Sequence, residues 1–348
     1  MPRIVTVNTL LPEYSYTEKE ALEVYTKWVS SQDESFRKKA DRIFNNTQIK
    51  AKHTIAAPEV LLSQRTFEES NNLYKEKAIE LGTAVLQQTL AEARLNPKDL
   101  DFLITTSCTG FMIPSFNAYV ANNLGLRPDI KQLPITESGC AAGVTALVYA
   151  NDLLKAYPDK KVAIITLELP SNTMQVNDYS WDNVVGTALF SDGIACAILD
   201  GKEDCSAKII DSQMYQVPNT TEILGYNLTN SGLKMNLDKC IPQTIEEHFY
   251  EIVGPFLNRN GYKVEDIDNY IIHPGGVKIL DKIEDLLAEK GKNAGLSRKI
   301  MEKYGNMSSS TVLFILSEQL KNTYQGEKTL MLSFGPGFTA NQILLEWK

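Results

Sequence analysis

Short apolar runs alternate along this chain with longer segments in which apolar residues recur every three or four positions. The short runs are continuous and rich in β-branched residues, which is typical of strands buried on both faces. The predicted strands are Phe102–Thr106, Val162–Leu167, Ala195–Leu199, Tyr270–Ile272 and Leu330–Ser333. The longer segments Glu18–Phe44 and Glu69–Leu95 predict amphipathic helices with polar faces. Strands that alternate with helices indicate a layered α/β fold in which crossover helices join the strands of a buried sheet.

The chain also contains an internal repeat. Three pairs of segments correspond: Gly139–Lys155 with Gly305–Lys321, Lys98–Ile104 with Glu265–Ile271, and Lys161–Thr166 with Lys328–Ser333. A tandem duplication predicts two similar halves related by a pseudo-twofold axis, with the seam in the polar stretch Asp200–Asp204. The repeat places Cys140 and Asn306 at equivalent positions, each just before a helix.

Composition limits the class of protein. The chain has 348 residues, 43% of them hydrophobic, which is enough for one large core. A net charge of −8 argues against a nucleic-acid groove, because such a groove must neutralise phosphates. The N-terminal residues lack the apolar core of a signal peptide, and no apolar run approaches the roughly 18 residues of a membrane span. We expect a cytoplasmic protein that binds no nucleic acid and does not span a membrane.

Five cysteines occur, without a CxxC pair, and an odd number in a long chain does not suggest a disulfide framework. P-loop, GxGxxG and HExxH motifs are absent, which removes the usual nucleotide and zinc interpretations. We therefore expect reduced thiols and no metal site. Three of the cysteines, Cys196, Cys205 and Cys240, have no setting that favours reactivity and are predicted to be structural.

Cys140 has such a setting. It follows Ile135–Gly139 and precedes the predicted helix Ala141–Lys155, so that a strand, a glycine turn and a helix N-terminus meet at one thiol. The helix dipole and free amides at that position favour a thiolate, the form in which cysteine is a nucleophile. An ordinary buried cysteine is the alternative, and without the repeat it would be preferred.

His273 is the predicted partner of this thiol. It directly follows the strand before Pro274-Gly275-Gly276, at a strand end where loops gather, whereas His53 and His248 lie in polar, helix-like or loop surroundings. A satisfied structural histidine is the alternative. Asn306 alone would be an N-cap residue, but its repeat mate is the nucleophile. Cysteine, histidine and asparagine together supply a nucleophile, a cation to stabilise its thiolate and donors for an oxyanion, which suits acyl transfer through a thioester.

Four motifs in this order resemble the type III polyketide synthases, the chalcone-synthase-like enzymes, and they extend over essentially the whole chain. The motifs are Glu137–Gly143, Ile271–Gly276, Tyr304–Ser309 and Ser333–Gly337. The resemblance implies the thiolase fold, a duplicated five-layered αβαβα sandwich that forms a homodimer. The halves would be residues 1–204, with the cysteine, and 205–348, with the histidine and asparagine.

The resemblance also implies a mechanism. Cys140 would take an acyl starter from coenzyme A (CoA), while His273 and Asn306 hold malonyl-CoA and promote its decarboxylation. Repeated extension and cyclisation would follow, with acyl-CoA and malonyl-CoA as substrates and without a metal or other cofactor.

Further positions match the family's substrate cavity. The predicted lining residues are Phe190, Met235, Cys108, Thr173, Gly225, Ser308 and Pro336. Phe190 matches an aromatic gatekeeper, with an ordinary core aromatic as the alternative. Met235 stands where the second gatekeeper is usually phenylalanine, which favours an aliphatic starter because a thioether is flexible. Ile113 occupies the site whose side chain enters the cavity of the partner subunit.

Lys39 and Arg42 match the basic patch that holds the phosphates of CoA. A third lysine of that pattern is Asn46 here, which suggests a weaker grip or one shared with Lys50. A solvated helix face is the alternative.

Two other functions compete with iterative synthesis. A single-condensation ketoacyl synthase of the same fold would extend an acyl chain once. A catalytically silent scaffold is expected to lack one of Cys140, His273 and Asn306, and all three are present.

Overall fold

The computed structural model describes residues 1–202, 207–322 and 324–348. In this part of the chain there are thirteen strands and eleven helices. The strands are β1 (Arg3–Leu10), β2 (Tyr14–Thr17), β3 (Ala51–Thr54), β4 (Phe102–Thr106), β5 (Lys131–Ile135), β6 (Lys161–Glu168), β7 (Gly193–Asp200), β8 (Ala207–Gln216), β9 (Leu224–Thr229), β10 (Gly232–Leu237), β11 (Asn269–Ile272), β12 (Lys328–Gly335) and β13 (Thr339–Trp347). The helices are α1 (Glu18–Trp28), α2 (Glu34–Asn45), α3 (Pro58–Leu61), α4 (Phe67–Glu92), α5 (Phe116–Asn123), α6 (Ala142–Ala156), α7 (Trp181–Leu189), α8 (Ile241–Arg259), α9 (Val277–Ala288), α10 (Gly295–Tyr304) and α11 (Thr311–Gln319).

Nine strands form one sheet in the order β11, β12, β13, β8, β1, β7, β6, β4, β5. Its two halves repeat one pattern. In the first half β4 runs parallel to β6, which pairs antiparallel with β7. In the second half β11 runs parallel to β12, which pairs antiparallel with β13. Among the described strands, the halves of the sheet are joined by the pairing of β1 with β8, at Arg3 with Lys208 and Ile4 with Ala207. This arrangement confirms the predicted duplication.

The two halves of this sheet and three layers of helices make up five layers. Helices α6 and α11 form the central layer and pack in one core against strands of both halves. Helices α4 and α5 cover the outer face of the first half, and α8 and α9 cover that of the second. The central helices are apolar on nearly every face, as a helix enclosed on both sides requires. The αβαβα sandwich expected from the sequence is therefore present. Its division at residues 204 and 205 lies outside the described residues and remains a prediction.

All five predicted strands are present, but one predicted helix is interrupted. The segment from Glu18 to Phe44 forms two helices, because a 3-10 turn follows Trp28 and Asp33 then caps α2 by accepting a hydrogen bond from the Phe36 N–H at 2.9 Å. The hairpin of β9 and β10 was not predicted, and it carries Met235 opposite Tyr226.

Candidate active site

Cys140 lies in a 3-10 turn between β5 and α6. The turn requires glycine before the cysteine, because Gly139 has a φ of 47° and an added Cβ would come within 2.6 Å of the Pro336 ring. Pro336 belongs to the turn after β12, in the other half of the chain. The Gly-Cys pair thus holds the thiol against the second half. Pro336 lies next to this pair, and its role in lining the substrate cavity stays a prediction.

Asn306 occupies the equivalent place before α11, after Gly305 with its φ of 77°. Its backbone N–H donates to the Leu189 carbonyl at 3.0 Å, and its carbonyl accepts from the Ser191 N–H at 2.9 Å. The starts of the central helices meet so closely that a Cβ on Gly143 would lie 2.3 Å from the Ser309 carbonyl oxygen. Duplication has therefore brought the two turns face to face.

Ser308 connects the thiol to the amide. The Cys140 thiol donates to the Ser308 hydroxyl at 3.5 Å, and the Ser308 N–H donates to Oδ1 of Asn306 at 2.8 Å. This contact fixes the orientation of the Asn306 amide, so that Nδ2 donates to the Gly275 carbonyl at 2.9 Å. Within the described residues this is the one hydrogen bond that Nδ2 donates, so its second N–H is a donor for a ligand.

His273 directly follows β11, and its backbone N–H donates to the Leu332 carbonyl at 2.9 Å. Its side chain is buried, and neither ring nitrogen has a hydrogen-bond partner within the described part of the chain. Burial lowers the pKa of the imidazole to about 4, so the ring is neutral at pH 7. Asn306 bonds to Gly275 of the same loop and so ties that loop to the two turns.

Burial opposes the thiolate and the cationic imidazole that the sequence leads us to expect, and that ion pair stays a prediction. Burial raises the pKa of the Cys140 thiol to about 12, and the hydrogen bond with Ser308 offsets only part of that shift. The short turn at a helix start does not compensate for the loss of water around the charge. Burial by itself therefore favours a neutral thiol and a neutral imidazole, a state from which the proton moves when a substrate binds.

Behind Cys140 lies a buried glutamate that the sequence analysis missed. Glu168, at the end of β6, accepts from the Ser309 hydroxyl at 2.6 Å and from the Cys108 N–H at 3.2 Å. Burial raises the pKa of Glu168 to about 7, although these hydrogen bonds lower it. The Cys108 sulfur also lies 3.9 Å from the Ser308 hydroxyl, so both predicted cavity residues are at the site. The sequence signal that could have identified Glu168 is an acidic residue at the end of an otherwise apolar strand.

The predicted gatekeepers lie together. Phe190, Met235 and Thr173 line one cavity, along with Tyr226, which the sequence analysis did not identify. The thiols of Cys108 and Cys140 are close enough to Tyr226 to contribute to the raised pKa of its phenol, whose main cause is burial. Gly225 is next in β9, and a Cβ there would meet no atom within 4 Å.

A second cavity is lined by Lys39 and Arg42 and extends to Gly275 and Gly276. Lys39 also lies over the Trp181 ring, with 3.7 Å from its Nζ to the ring centroid. Asn46 lines this cavity. Two lysines that were not predicted, Lys239 and Lys278, line it as well.

Lys50, suggested as a further contact to the CoA phosphates, lies outside this cavity, and the phosphate grip itself stays a prediction. Its Nζ is paired with Glu18 at 2.8 Å, and Lys50 is not among the residues that line the cavity.

The other predicted side chains have mixed outcomes. Ile113 is 84% exposed, and its place in a partner subunit stays a prediction. Cys196 is buried in β7, and Cys240 is the residue before α8, while Cys205 lies outside the described residues. The polar setting expected for His53 is wrong, since it is buried in β3 with its N–H donating to the Ser191 hydroxyl at 2.8 Å. His248 is paired with Glu251 at 2.9 Å on α8.

Comparison with solved structures defines the class of this protein. The fold superimposes with a TM-score of 0.94 on the crystal structure of the 1,3,6,8-tetrahydroxynaphthalene synthase of Streptomyces coelicolor, described as a bacterial type III polyketide synthase. The two chains are 30% identical, and the match covers 99% of each. The protein is an acyltransferase with the thiolase fold.

The family follows from the sequence matches. The N-terminal domain of chalcone and stilbene synthases matches residues 2–203, and the C-terminal domain matches residues 208–347. The chain belongs to this family. It is 32% identical to the Streptomyces coelicolor 1,3,6,8-tetrahydroxynaphthalene synthase over 97% of this chain and 90% of that protein. It is 30% identical to a putative chalcone synthase of Bacillus subtilis over 100% of this chain and 99% of that protein.

Across the described ranges, no helix has the length and apolar character needed to cross a bilayer. The same residues contain no cluster of three or more histidine, cysteine, aspartate or glutamate side chains arranged to hold a metal ion.

Proposed function

We propose that this protein is an iterative type III polyketide synthase. It loads an acyl group from CoA onto Cys140, extends it with malonyl-CoA and cyclises the product to a pyrone, a resorcinol or a related aromatic compound. The observation that carries the proposal is the chain of contacts from Cys140 through Ser308 to Asn306 and on to the loop of His273. The relatives support it, because their names specify aromatic polyols.

Loading begins with a proton transfer. The neutral His273 imidazole takes the Cys140 proton as the sulfur attacks the thioester carbonyl of acyl-CoA. The bond between the carbonyl carbon and the CoA sulfur breaks, and the CoA thiolate leaves with the proton that His273 held. The acyl group is then a thioester of Cys140. A low imidazole pKa makes this return of the proton favourable, because the buried cation is costly.

Extension uses the same imidazole and the Asn306 amide. The bond between the malonyl carboxylate and C2 breaks, CO₂ leaves, and the electron pair forms an enolate on the thioester oxygen. The free Asn306 N–H and His273 hold this oxyanion. The enolate carbon attacks the Cys140 thioester, the cysteine thiolate leaves, and the chain is returned to CoA two carbons longer. An uncharged amide suits this step because a carboxylate would repel both malonyl group and enolate.

The cavity of Lys39 and Arg42 is the proposed site for CoA. Four cations from both halves face it, so that the phosphates would be held between α2 and the start of α8 and α9. The acyl esters of CoA are the substrates, and no metal or other cofactor takes part. Added EDTA is therefore expected to leave the rate unchanged.

A homodimer is part of the proposal. The sheet ends at β5, whose residues are largely exposed, and Phe111 and Ile113 expose 60% and 84% of their surface beside it. An exposed strand edge beside large apolar side chains is a surface that proteins normally cover. A second copy would cover it and bring Ile113 to the neighbouring cavity. Light scattering after gel filtration is expected to give twice the mass of the chain.

Product analysis separates the proposal from its alternatives. Purified protein is incubated with malonyl-CoA and a series of acyl-CoA esters, and the products are identified by mass spectrometry. Products with two or more added acetate units that have cyclised support iterative synthesis. One extension only would identify a single-condensation ketoacyl synthase, and the absence of any condensation would identify a silent scaffold.

A further inference from the structure

A buried lysine that the chemistry above does not use lies behind the gatekeeper Phe190. Lys52, the second residue of β3, is 5% exposed. Its ammonium donates to the carbonyl oxygens of Thr187 at 3.1 Å, Ala188 at 2.9 Å and Phe190. Burial lowers the pKa of Lys52 to about 7, and the charge of Asp192 opposes that shift. Three acceptors match the three N–H groups of an ammonium, so the donors of this cation are engaged by the protein rather than by a substrate.

The carbonyl groups that Lys52 holds lie at the end of α7. A helix leaves its last carbonyl oxygens without partners inside the helix, and a cation is favourable there because the helix dipole is negative at that end. Among residues 187–190, the oxygen of Leu189 is the exception, because it accepts from the Asn306 backbone N–H at 3.0 Å. Lys52 and Asn306 therefore share the acceptors of one helix end.

The segment after α7 contacts Asn306 a second time. The Ser191 N–H donates to the Asn306 carbonyl at 2.9 Å, so both backbone polar groups of Asn306 are held by residues 189 and 191. Glycine at position 305 allows this close approach, since a Cβ on Gly305 would lie 3.0 Å from the Cβ of Ser191. The position of Asn306 therefore depends on the position of residues 189–191.

Strand β3 holds the same segment at further points. The His53 N–H donates to the Ser191 hydroxyl at 2.8 Å, and the Asp192 N–H donates to the His53 carbonyl at 2.8 Å. The Asp192 carboxylate accepts from the Ile55 N–H at 2.8 Å. Lys52 is the member of this network that joins β3 to the helix end itself, so its loss is expected to release the end of α7 while these other contacts remain.

We propose that Lys52 is a positioning residue for decarboxylation, which holds Asn306 through the end of α7 at the place where its amide meets the developing oxyanion. The inference rests on the proposed function, because it takes the role of Asn306 from there. Ser308 and Gly275 orient the Asn306 amide, and Lys52 sets the backbone from which that side chain extends. A displacement of about 1 Å in such a site costs on the order of 100-fold in rate.

The test measures kcat and KM for the decarboxylation of malonyl-CoA to acetyl-CoA. Lys52→Met keeps an apolar stem of similar length and removes the three N–H donors. Its kcat is expected to fall by about 10- to 100-fold, with KM for malonyl-CoA within about threefold of the wild type. This split is expected because the cations of the proposed CoA cavity are unchanged, and a loss of stability alone does not produce it.

Lys161→Met is the matched control. Lys161 lies at the opposite end of β6 from Glu168 and pairs with the buried Asp200. Its loss removes a partly buried ion pair and so also lowers stability, but it does not touch residues 187–192. The folded control should keep the kcat of the wild type, and thermal unfolding compares the stability of the variants.

A second variant keeps the test decisive if Lys52→Met does not fold. Ser191→Ala removes the hydroxyl that ties the same segment to β3, and it should lower kcat by at least about threefold with little change in KM. A smaller fall in kcat than stated, a rise in KM that accounts for the whole loss, or an equal fall in Lys161→Met would overturn the inference while iterative synthesis stands. Failure of the wild-type protein to decarboxylate malonyl-CoA would instead overturn the proposed function, and the inference with it.

Discussion

Substituting Asn306 by aspartate changes one atom of the proposed oxyanion site and almost none of its shape. The Asn306 Oδ1 accepts from the Ser308 N–H at 2.8 Å, and Nδ2 donates to the Gly275 carbonyl at 2.9 Å. In Asn306→Asp an oxygen replaces that donor and faces the Gly275 oxygen. Asn306→Ala removes both polar atoms and introduces no charge.

The expected losses follow from these contacts. Removing one oxyanion donor lowers kcat by about 100- to 1,000-fold, which is the loss expected for Asn306→Ala. Asn306 is 1% exposed, so an ionised aspartate there is buried and repels both malonyl group and enolate. We expect a loss of more than about 1,000-fold at pH 7 for Asn306→Asp. Burial raises the pKa of such a carboxyl, and the protonated form donates to the Gly275 carbonyl. The rate deficit of Asn306→Asp relative to the wild type should therefore shrink as the pH falls. The rate deficit of Asn306→Ala should not change with pH.

The assay measures the decarboxylation of malonyl-CoA to acetyl-CoA at several pH values from about 6 to 8, with the product quantified by chromatography. Decarboxylation is measured alone because this isolates the step from loading. Asn122→Asp is the matched control, since Asn122 is exposed on α5 and the same chemical change there should leave the rate unaltered. Decarboxylation by Asn306→Asp within about tenfold of wild type at pH 7 would refute the assignment of the amide as an oxyanion donor.

Three further predictions concern stability and CoA binding. Lys52→Met leaves three carbonyl oxygens at the end of α7 without their donor and should lower the free energy of unfolding by about 2–4 kcal/mol in urea; unchanged stability would contradict this. Burial lowers the pKa of His273 from 6.5 to about 4, so on acidification the unfolded chain binds this proton before the folded chain does. The free energy of unfolding should therefore fall by roughly 2 kcal/mol between pH 7 and pH 5. This loss of stability should be absent in His273→Asn. The same dependence of unfolding free energy on pH in both proteins would contradict the prediction. Lys278→Ala should raise KM for malonyl-CoA about two- to fivefold at low salt. Lys50→Ala is the control and should leave KM unchanged. Equal effects of the two substitutions would show that the cavity is not the CoA site.

The fold was largely predictable because its signals are local and repeated. Continuous apolar runs gave the strand Phe102–Thr106 without error, and the repeat gave the symmetric positions of Cys140 and Asn306. The break between α1 and α2 was missed because the cap at Asp33 outweighs a helical pattern that continues through it. The β9 and β10 hairpin was missed because it has no continuous apolar run. Its apolar residues alternate with other residues instead, as Leu224, Tyr226 and Leu228 do in β9, and this alternation was the available signal.

The site was predictable in its residues and less so in its electrostatics. Sequence neighbours suggested a helix N-terminus that favours the Cys140 thiolate, but desolvation is a property of the assembled core and was not visible along the chain. Glu168 and Tyr226 were missed for a related reason, since only the packing of β6 and the hairpin brings them to the thiols. Lys239 and Lys278 reach the proposed CoA cavity from the second half, far in sequence from Lys39.

The most direct test of the central claim is peptide mass spectrometry of the protein after brief incubation with an acyl-CoA and no malonyl-CoA. The account predicts one acyl group per chain on the peptide that contains Cys140, and none after Cys140→Ala. Acylation of Cys108 instead, or loading that persists in Cys140→Ala, would contradict it.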